Sequence, residues 1–195
     1  MVFPVKGQPA KKGEQPQAAP EATIENSILL DPEKQQLREI ADYTRGNTGK
    51  SGVTLLFLGT GASRSLAAEA LANELHMKLY RVRLPAVISK YIGETEKNLS
   101  KIFEKAEAGG AILFFDEADA LFGKRTEVKD SHDRESESVA DCLVRRMEAY
   151  SGVSILAANT AVEPGTLIQR MRFIMKFSWA KAPAAAECNG EPPIG

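Results

Sequence analysis

The amino-acid sequence predicts an α/β fold, a three-layer αβα sandwich built around a mostly parallel five-stranded sheet. The first observation is a set of short, continuously apolar runs such as VTLLFL (53–58), which are typical of strands buried on both faces. The second is that these runs alternate with segments of helical periodicity, as in parallel sheets with a helix on each connection. Ligands bind such sheets at the carboxyl ends of the strands. We therefore expect the functional residues to follow the strands directly.

Each element can be justified in chain order. A helix is predicted over 31–44, where Asp31 acts as the cap, Pro32 takes the first helical position and apolar side chains share one face. The helix over 65–76 is rich in strong helix formers. The remaining predicted elements are strands 53–58, 79–84, 111–115, 153–158 and 172–177 and helices 95–108, 134–150 and 165–170.

Composition limits the domain and its partners. Residues 1–23 and 179–195 are rich in Pro and Ala and lack periodicity, so both are predicted to be disordered around a core of 24–178. The net charge of −1 gives no reason to expect nucleic acid or an anionic membrane as a partner. The two cysteines have no disulfide or metal spacing, which favours a reducing, cytoplasmic compartment.

Polar side chains follow two of the buried strands. Asp116 and Glu117 come directly after AILFF, where the first can hold Mg²⁺ and the second can polarise a water for attack on a phosphate. An isolated acidic pair in this position is as often a solvated helix cap. Asn159 follows VSILAA and could orient the same water, although an Asn after a strand is more often part of a turn.

Two short stretches compete as a phosphate-binding loop. GTGASRS (59–65) follows a buried strand and leads into a helix, the context in which backbone N–H groups and a helix N-terminus face phosphates. TGKS (48–51) contains a lysine, but no buried strand precedes it and a strand follows it. The sequence therefore favours residues 59–65.

A dinucleotide-binding oxidoreductase is the alternative for the same stretch. Gly59 and Gly61 begin a G-x-G-x-x-G pattern, and Arg81 and Arg83 could meet a 2′-phosphate. Arg64 occupies the third glycine position, however, and no acidic residue closes the second strand. These two departures make this alternative the weaker one.

Three longer motifs resemble the AAA+ ATPases, which belong to the P-loop NTPases. They are SKYIGETEKNLSKIFEKAE (89–107), AILFFDEADALFGKRTEVKDSHDR (111–134) and RMRF (170–173), within a similarity that covers residues 29–177. They are similar to a bacterial branch that includes ATPases associated with phage-tail-like contractile injection systems. The resemblance implies a 5-1-4-3-2 strand order. It also implies ATP and Mg²⁺ as cofactors and a hexameric homo-oligomer that remodels or assembles polypeptide substrates.

The resemblance assigns a role to each candidate residue. Asp116 and Glu117 match the Walker B pair and Asn159 matches sensor 1. Arg170 and Arg172 resemble arginine fingers that reach a neighbouring subunit. The phosphate loop would comprise Gly59, Thr60, Gly61, Ala62, Ser63, Arg64 and Ser65, the metal ligands would be Ser65 and Asp116, and the pore loop would comprise Tyr91, Ile92 and Gly93.

Three departures from the family pattern concern ATP turnover. The phosphate loop is one residue short, and Arg64 stands where the family has lysine, whose compact ammonium a guanidinium does not freely replace. The family's C-terminal helical lid is expected to be absent, since residues after Phe177 do not match it. A non-catalytic relative that acts as a scaffold is therefore the alternative to a working ATPase.

Overall fold

The fold is built on one twisted sheet, seen in a computed structural model that describes residues 14–16, 22–47, 52–89, 91, 93–122, 139–159 and 165–177. Six strands form the sheet in the spatial order β1-β3-β4-β5-β2-β6. Strands β2 to β6 are parallel, and the edge strand β1 is antiparallel to β3. Their bounds are β1 Glu14–Pro16, β2 Val53–Leu58, β3 Leu79–Arg83, β4 Ile112–Asp116, β5 Val153–Ala158 and β6 Phe173–Lys176.

The strand order confirms the predicted parallel five-stranded sheet. Strand β5 lies between β4 and β2, with Leu58 opposite Ala158 and Phe115 opposite Leu156. The five parallel strands therefore have the 5-1-4-3-2 order that the resemblance implies.

Helices cover both faces of the sheet. Because successive strand residues point to opposite faces, Leu55 and Phe57 join a core with helices α1 and α2, whereas Leu56 and Leu58 join a second core with α4 and α6. This arrangement is the predicted three-layer sandwich. The helices are α1 Asp31–Gly46, α2 Gly61–Glu74, α3 Leu84–Val87, α4 Glu94–Gly109, α5 Asp119–Phe122 and α6 Val139–Ala149, with a 3-10 helix over Gly165–Arg170.

One buried polar group anchors the second core. The Tyr150 side chain is 2% exposed, and its hydroxyl donates a hydrogen bond to the carbonyl oxygen of Ala111, next to the start of β4. Burial, with a smaller contribution from the negative charge of Glu107, raises the pKa of the Tyr150 phenol to about 12. The phenol is thus held in its neutral form throughout the physiological range.

Several predicted boundaries differ from the structure. Residues 14–16 lie in the arm that was predicted to be disordered, yet they form β1, because their pairing partner is the outer edge of β3 and composition does not reveal such a partner. Helix α1 starts at Asp31, with Leu30 as its cap residue and the Glu33 carboxylate accepting from the Leu30 N–H at 3.0 Å. The predicted tail 179–195 lies outside the described residues, as do residues 1–13.

The described helices can be compared with the thickness of a bilayer. In that part of the chain, no helix combines the length and the apolar character needed to cross a bilayer.

Candidate functional site

The carboxyl edge of the sheet collects the polar residues that the sequence placed after the strands. Leu58 and Ala158 end β2 and β5 at the same level, and Arg83 pairs with Asp116 where β3 and β4 end. Backbone hydrogen bonds continue this connection, since the Gly59 N–H donates to Ala158 O at 3.2 Å. Residues 59–65, Asp116–Glu117 and Asn159 therefore follow neighbouring strands at one edge.

The predicted phosphate loop is largely helical. Only Gly59 and Thr60 separate β2 from α2, which begins at Gly61 and not at residue 65 as the sequence pattern predicted. The reason is that Thr60 caps the helix: its backbone carbonyl accepts from the Arg64 N–H at 3.1 Å, and its hydroxyl lies 3.5 Å from the Ser63 N. The site accordingly presents a helix N-terminus in place of an extended loop.

Gly59 is required by the backbone path into this helix. Its φ of +145° lies in a region that side chains disfavour, and a Cβ there would lie 2.7 Å from the carbonyl oxygen of Phe177. Phe177 is held in place because its N–H donates to Leu58 O at 2.7 Å and its ring packs edge-on against Phe57. The end of β6 therefore presses directly against the turn at Gly59.

Arg64 points from helix α2 towards Asp116, the last residue of β4. Its side chain is 5% exposed, and Nη2 lies 3.5 Å from Oδ1 of Asp116. The other two nitrogens, Nε and Nη1, are buried without a hydrogen-bond partner among the described residues. A buried guanidinium with one long contact is unusual, because burying a charge is unfavourable unless it is paired and fully hydrogen-bonded.

Ser65 points away from this contact and towards β3. Its hydroxyl accepts a hydrogen bond from Nη1 of Arg81 at 3.0 Å, and Arg81 also pairs with Glu69 one turn further along α2. Both oxygens predicted to bind Mg²⁺, those of Ser65 and Asp116, are thus in contact with a guanidinium. This arrangement does not fit a divalent cation.

Glu117 adopts a strained backbone conformation. Its φ is +58°, a left-handed value that is uncommon for residues other than glycine. The Asp116 carboxylate stabilises this turn by accepting the Glu117 N–H at 2.9 Å. The Glu117 carboxylate is directed to Arg83, whose Nη2 and Nε donate to Oε1 at 2.6 and 2.9 Å. The predicted water-activating carboxylate is therefore ion-paired.

Asn159 is held by a residue that the sequence reasoning did not single out. Its backbone N–H and its side-chain amide donate to the two carboxylate oxygens of Asp119, at 3.0 and 3.1 Å. Arg83 was likewise missed as a partner of Glu117. The signal was available in both cases, because Asp119 opens helix α5 beside the end of β5 and Arg83 ends a strand next to β4.

Arg170 and Arg172 lie at the opposite edge of the sheet. The N–H of Arg172 donates to Thr54 O at 2.9 Å, and the Thr54 hydroxyl lies 3.2 Å from Arg170 O, near the start of β2. The five residue-to-residue steps from Thr54 to Gly59 span about 16 Å of extended chain. The structure therefore does not bring these two arginines together with Asp116 in one subunit.

Each of these arginines has a partner on a neighbouring helix. Arg170 donates to Glu148 at 2.6 and 3.0 Å and lies 3.6 Å from Asp141, both on α6. This hydrogen bond lowers the pKa of the Glu148 carboxyl, against an opposing effect of burial. Arg172 stacks on Tyr43 of α1, with 4.8 Å between the guanidinium carbon and the ring centroid. Both arginines are thus fixed to the surface of the amino edge.

A cleft of about 250 Å³ also opens at the amino edge, between Thr44, Met77, Glu107 and Tyr150. It includes none of the predicted site residues. The cleft therefore gives no reason to move the candidate site away from the carboxyl edge.

Tyr91 of the predicted pore loop is exposed, and Gly93 is half-buried. The Tyr91 side chain is 73% exposed, and Gly93, with φ +75°, caps helix α4. The loop is fastened at its base, because the Ser89 N–H donates to the Thr95 hydroxyl at 2.9 Å and the Ser89 hydroxyl binds Glu94. Ile92 lies outside the described residues.

Comparisons with known proteins find similar sequences. Residues 55–179 match the ATPase family associated with various cellular activities (AAA). An uncharacterised AAA family ATPase of Sinorhizobium fredii is 34% identical over 147 residues, 75% of this chain and 44% of the relative.

Two further relatives are much longer than the matched region. A cell division cycle protein 48 homolog of Archaeoglobus fulgidus is 31% identical over 172 residues, 82% of this chain and 23% of the relative. The peroxisomal ATPase PEX6 of Dictyostelium discoideum is 37% identical over 136 residues, 68% of this chain and 11% of the relative. The chain thus spans less than half the length of each of these relatives.

Proposed function

Because the chain belongs to the AAA ATPase family, we propose that it binds ATP at the carboxyl edge of the sheet. We further propose that ATP hydrolysis between neighbouring subunits drives the remodelling or assembly of protein partners. The observation that carries this proposal is the position of β5 between β2 and β4, which places Asn159 between the start of α2 and the Asp116–Glu117 pair. A phosphate at the α2 N-terminus would therefore face both side chains that act on water.

In the proposed hydrolysis, Glu117 polarises the attacking water and Asn159 orients it. In the described structure, Arg83 holds Glu117 and Asp119 holds Asn159. The side chains of Arg83 and Glu117 are 67% and 43% exposed, and an exposed ion pair contributes at most about 1 kcal/mol. Separating this pair when nucleotide binds is therefore inexpensive.

The arginines at the amino edge support a role for a second subunit. Arg170 and Arg172 lie about 16 Å along the strands from Gly59, so they cannot reach a phosphate bound at α2 of their own chain. A head-to-tail ring would bring the amino edge of one copy to the carboxyl edge of the next. The proposal therefore includes a homo-oligomer, with the hexamer of the family as its expected form.

The proposed substrate is a polypeptide. An aromatic side chain that is 73% exposed, as Tyr91 is, gives a contact surface for an unfolded chain at low cost in side-chain entropy. Its attachment to the base of α4 through Ser89 gives the loop a fixed origin. We assign Tyr91, Ile92 and Gly93 to substrate contact on this basis.

We also propose that the chain is cytoplasmic and belongs to the bacterial branch of the family that includes the ATPases of contractile injection systems. The motifs SKYIGETEKN and FFDEADALFGKR and the similarity to the Sinorhizobium fredii protein support this placement. The two cysteines have no disulfide spacing, which is compatible with a reducing compartment.

A second candidate is a non-catalytic AAA relative that acts as a scaffold. One specific observation favours it: Arg64 contacts Asp116, and Ser65 is engaged by Arg81, so neither predicted metal ligand is arranged for a metal. In this case the chain would bind nucleotide or its partner without turnover.

Two measurements, phosphate release and ATP binding, decide between the ATPase and the scaffold. Both are made on the wild type and on Glu117→Gln. Under the first proposal, Glu117→Gln abolishes hydrolysis and keeps ATP affinity within a factor of about two, because the carboxylate acts on water and not on binding. Glu25→Gln, which alters an exposed carboxylate in the segment before α1, is the matched control and keeps the wild-type rate. Absence of hydrolysis in the wild type, with ATP still bound, would leave the scaffold as the function.

A further inference from the structure

We propose that Arg64 is the resident counter-cation of the phosphate site, so that this chain binds the polyphosphate of a nucleotide without a divalent cation. The inference deepens the proposed function and rests on its nucleotide-binding part alone. It states that the ligand bound is the free polyphosphate anion and not its magnesium complex.

The first argument is the incomplete pairing of a buried charge. The Arg64 side chain is only 5% exposed, and its one ionic contact in the described part of the chain, to Asp116, is 3.5 Å long. Charge-assisted N–H···O bonds are normally about 2.7–2.9 Å long. Nε and Nη1 have no partner among the described residues, so this side chain holds a positive charge and donors that an anion would satisfy.

The second argument is the position of this guanidinium at the start of a long helix. A Cβ built on Gly61, the first residue of α2, would lie 3.7 Å from Arg64 Nη2. Gly61 and Ala62 are exposed at this end, and the helix runs for 14 residues to Glu74. Helix N-termini attract anions through their free N–H groups and the helix dipole. The helix end and the arginine therefore favour the same ligand at the same place.

The third argument is that the oxygens expected to bind a metal already have cationic neighbours. Asp116 faces Arg64, and the Ser65 hydroxyl accepts from Arg81 at 3.0 Å. A divalent cation at either oxygen would lie close to a guanidinium and would be repelled by it. An incoming phosphate, in contrast, is attracted by Arg64 and gains shorter hydrogen bonds than the contact with Asp116 that it replaces.

Calorimetry of the whole chain tests the inference directly. ATP is titrated in EDTA and then in excess MgCl₂, and inorganic tripolyphosphate is titrated in EDTA to locate the interaction on the phosphates. We expect the dissociation constant for ATP to change by less than about threefold between the two conditions, and tripolyphosphate to bind in EDTA. Binding in MgCl₂ that is lost in EDTA would overturn the inference and leave the proposed function intact. Binding in neither condition would overturn both.

Two variants assign the effect to the named residues. Arg64→Gln should weaken ATP binding in EDTA by about tenfold or more, the loss expected for a charge-assisted contact. Asp116→Asn should strengthen ATP binding in EDTA, because it removes a negative charge facing the phosphates and releases Arg64. A site that binds through a metal on Asp116 would show the opposite, a loss of ATP affinity in MgCl₂, and that result would overturn the inference.

The control for these variants is Arg38→Gln, an exposed arginine of α1 that pairs with Glu25. It should leave ATP binding unchanged. Urea unfolding midpoints accompany each titration, so that a variant which does not fold is recognised; the comparison of EDTA with MgCl₂ on the wild type needs no variant. Equal losses in Arg38→Gln and Arg64→Gln would show a non-specific charge effect and overturn the assignment to Arg64.

Discussion

Arg83 and Glu117 meet at the ends of two neighbouring strands, with Arg83 Nη2 2.6 Å from Glu117 Oε1. Register explains the contact, because Arg83 pairs with Asp116 in the ladder between β3 and β4 and Glu117 is the next residue. The left-handed φ of +58° at Glu117 turns its side chain towards this edge. A carboxylate that is held by an arginine is not free to contact a water, and this relationship yields the first prediction.

Arg83→Gln should raise the rate of ATP hydrolysis several-fold. The substitution keeps a side chain of similar length and removes the positive charge that holds Glu117. The free energy of unfolding should fall by less than about 1 kcal/mol, since the pair is exposed. Steady-state phosphate release and urea unfolding measure the two quantities, with Arg38→Gln as the control. A lower rate at unchanged stability would show that Arg83 positions Glu117 for catalysis.

Gly59→Ala should destabilise the fold by about 2–4 kcal/mol, because the new Cβ meets backbone and side-chain atoms of Phe177 and φ is unfavourable. The clash is 2.7 Å to Phe177 O and 2.8 Å to Phe177 Cβ. Gly109→Ala is the matched control, since a Cβ there meets nothing within 4 Å and alanine favours the helix. The urea unfolding midpoint should lie below the wild-type value for Gly59→Ala and above it for Gly109→Ala. Equal midpoints would show that the turn at Gly59 adapts without strain.

Tyr150→Phe should lower the free energy of unfolding by about 1–2 kcal/mol at neutral pH, because Ala111 O loses its donor. The folded-state pKa of about 12 lies above the ordinary value of 10.0. Stability from this group is therefore complete below pH 10 and is lost as the pH rises towards 12. Between pH 8 and pH 11, the measured free energy of unfolding should fall more steeply for the wild type than for Tyr150→Phe. Parallel curves would contradict the raised pKa.

A mixture of Glu117→Gln and Arg170→Ala chains should recover ATP hydrolysis that neither variant shows alone. If Arg170 acts on the neighbouring subunit, random mixing gives about a quarter of the interfaces both intact groups. Phosphate release from a one-to-one mixture measures the recovery, and a mixture of two Glu117→Gln preparations is the control. No recovery, with oligomers present by light scattering, would place Arg170 outside the catalytic machinery.

The fold was largely predictable because its strands are strongly patterned. Strand 153–158 has the predicted bounds, and strand 53–58 does as well. Both are continuously apolar and lie between two helical layers. Burial on both faces is therefore the main requirement on their residues. Strand β1 could not be predicted, because a three-residue edge strand depends on the neighbour it pairs with and carries no pattern of its own.

The sequence predicts which polar residues follow the strands, but not what those residues contact. Asp116, Glu117 and Asn159 follow from strand ends alone, which is a local property of the sequence. Their pairing with Arg64, Arg83 and Asp119 depends on register between strands and on where α2 begins. The prediction placed the start of α2 at residue 65, because residues 59–65 were read as an extended loop, although Thr60 is a good cap residue.

The three-residue strand β1 has a consequence for handling the protein in solution. Its backbone pairs Glu14, Gln15 and Pro16 with the outer edge of β3 from Val82 to Tyr80. A chain shortened to begin at residue 17 would leave that edge open, and an open edge is a template on which strands of other copies can add. The shortened chain should therefore associate into larger particles at concentrations where the full chain does not. Pro16 also protects this edge of the sheet, because it has no N–H to donate to a further strand.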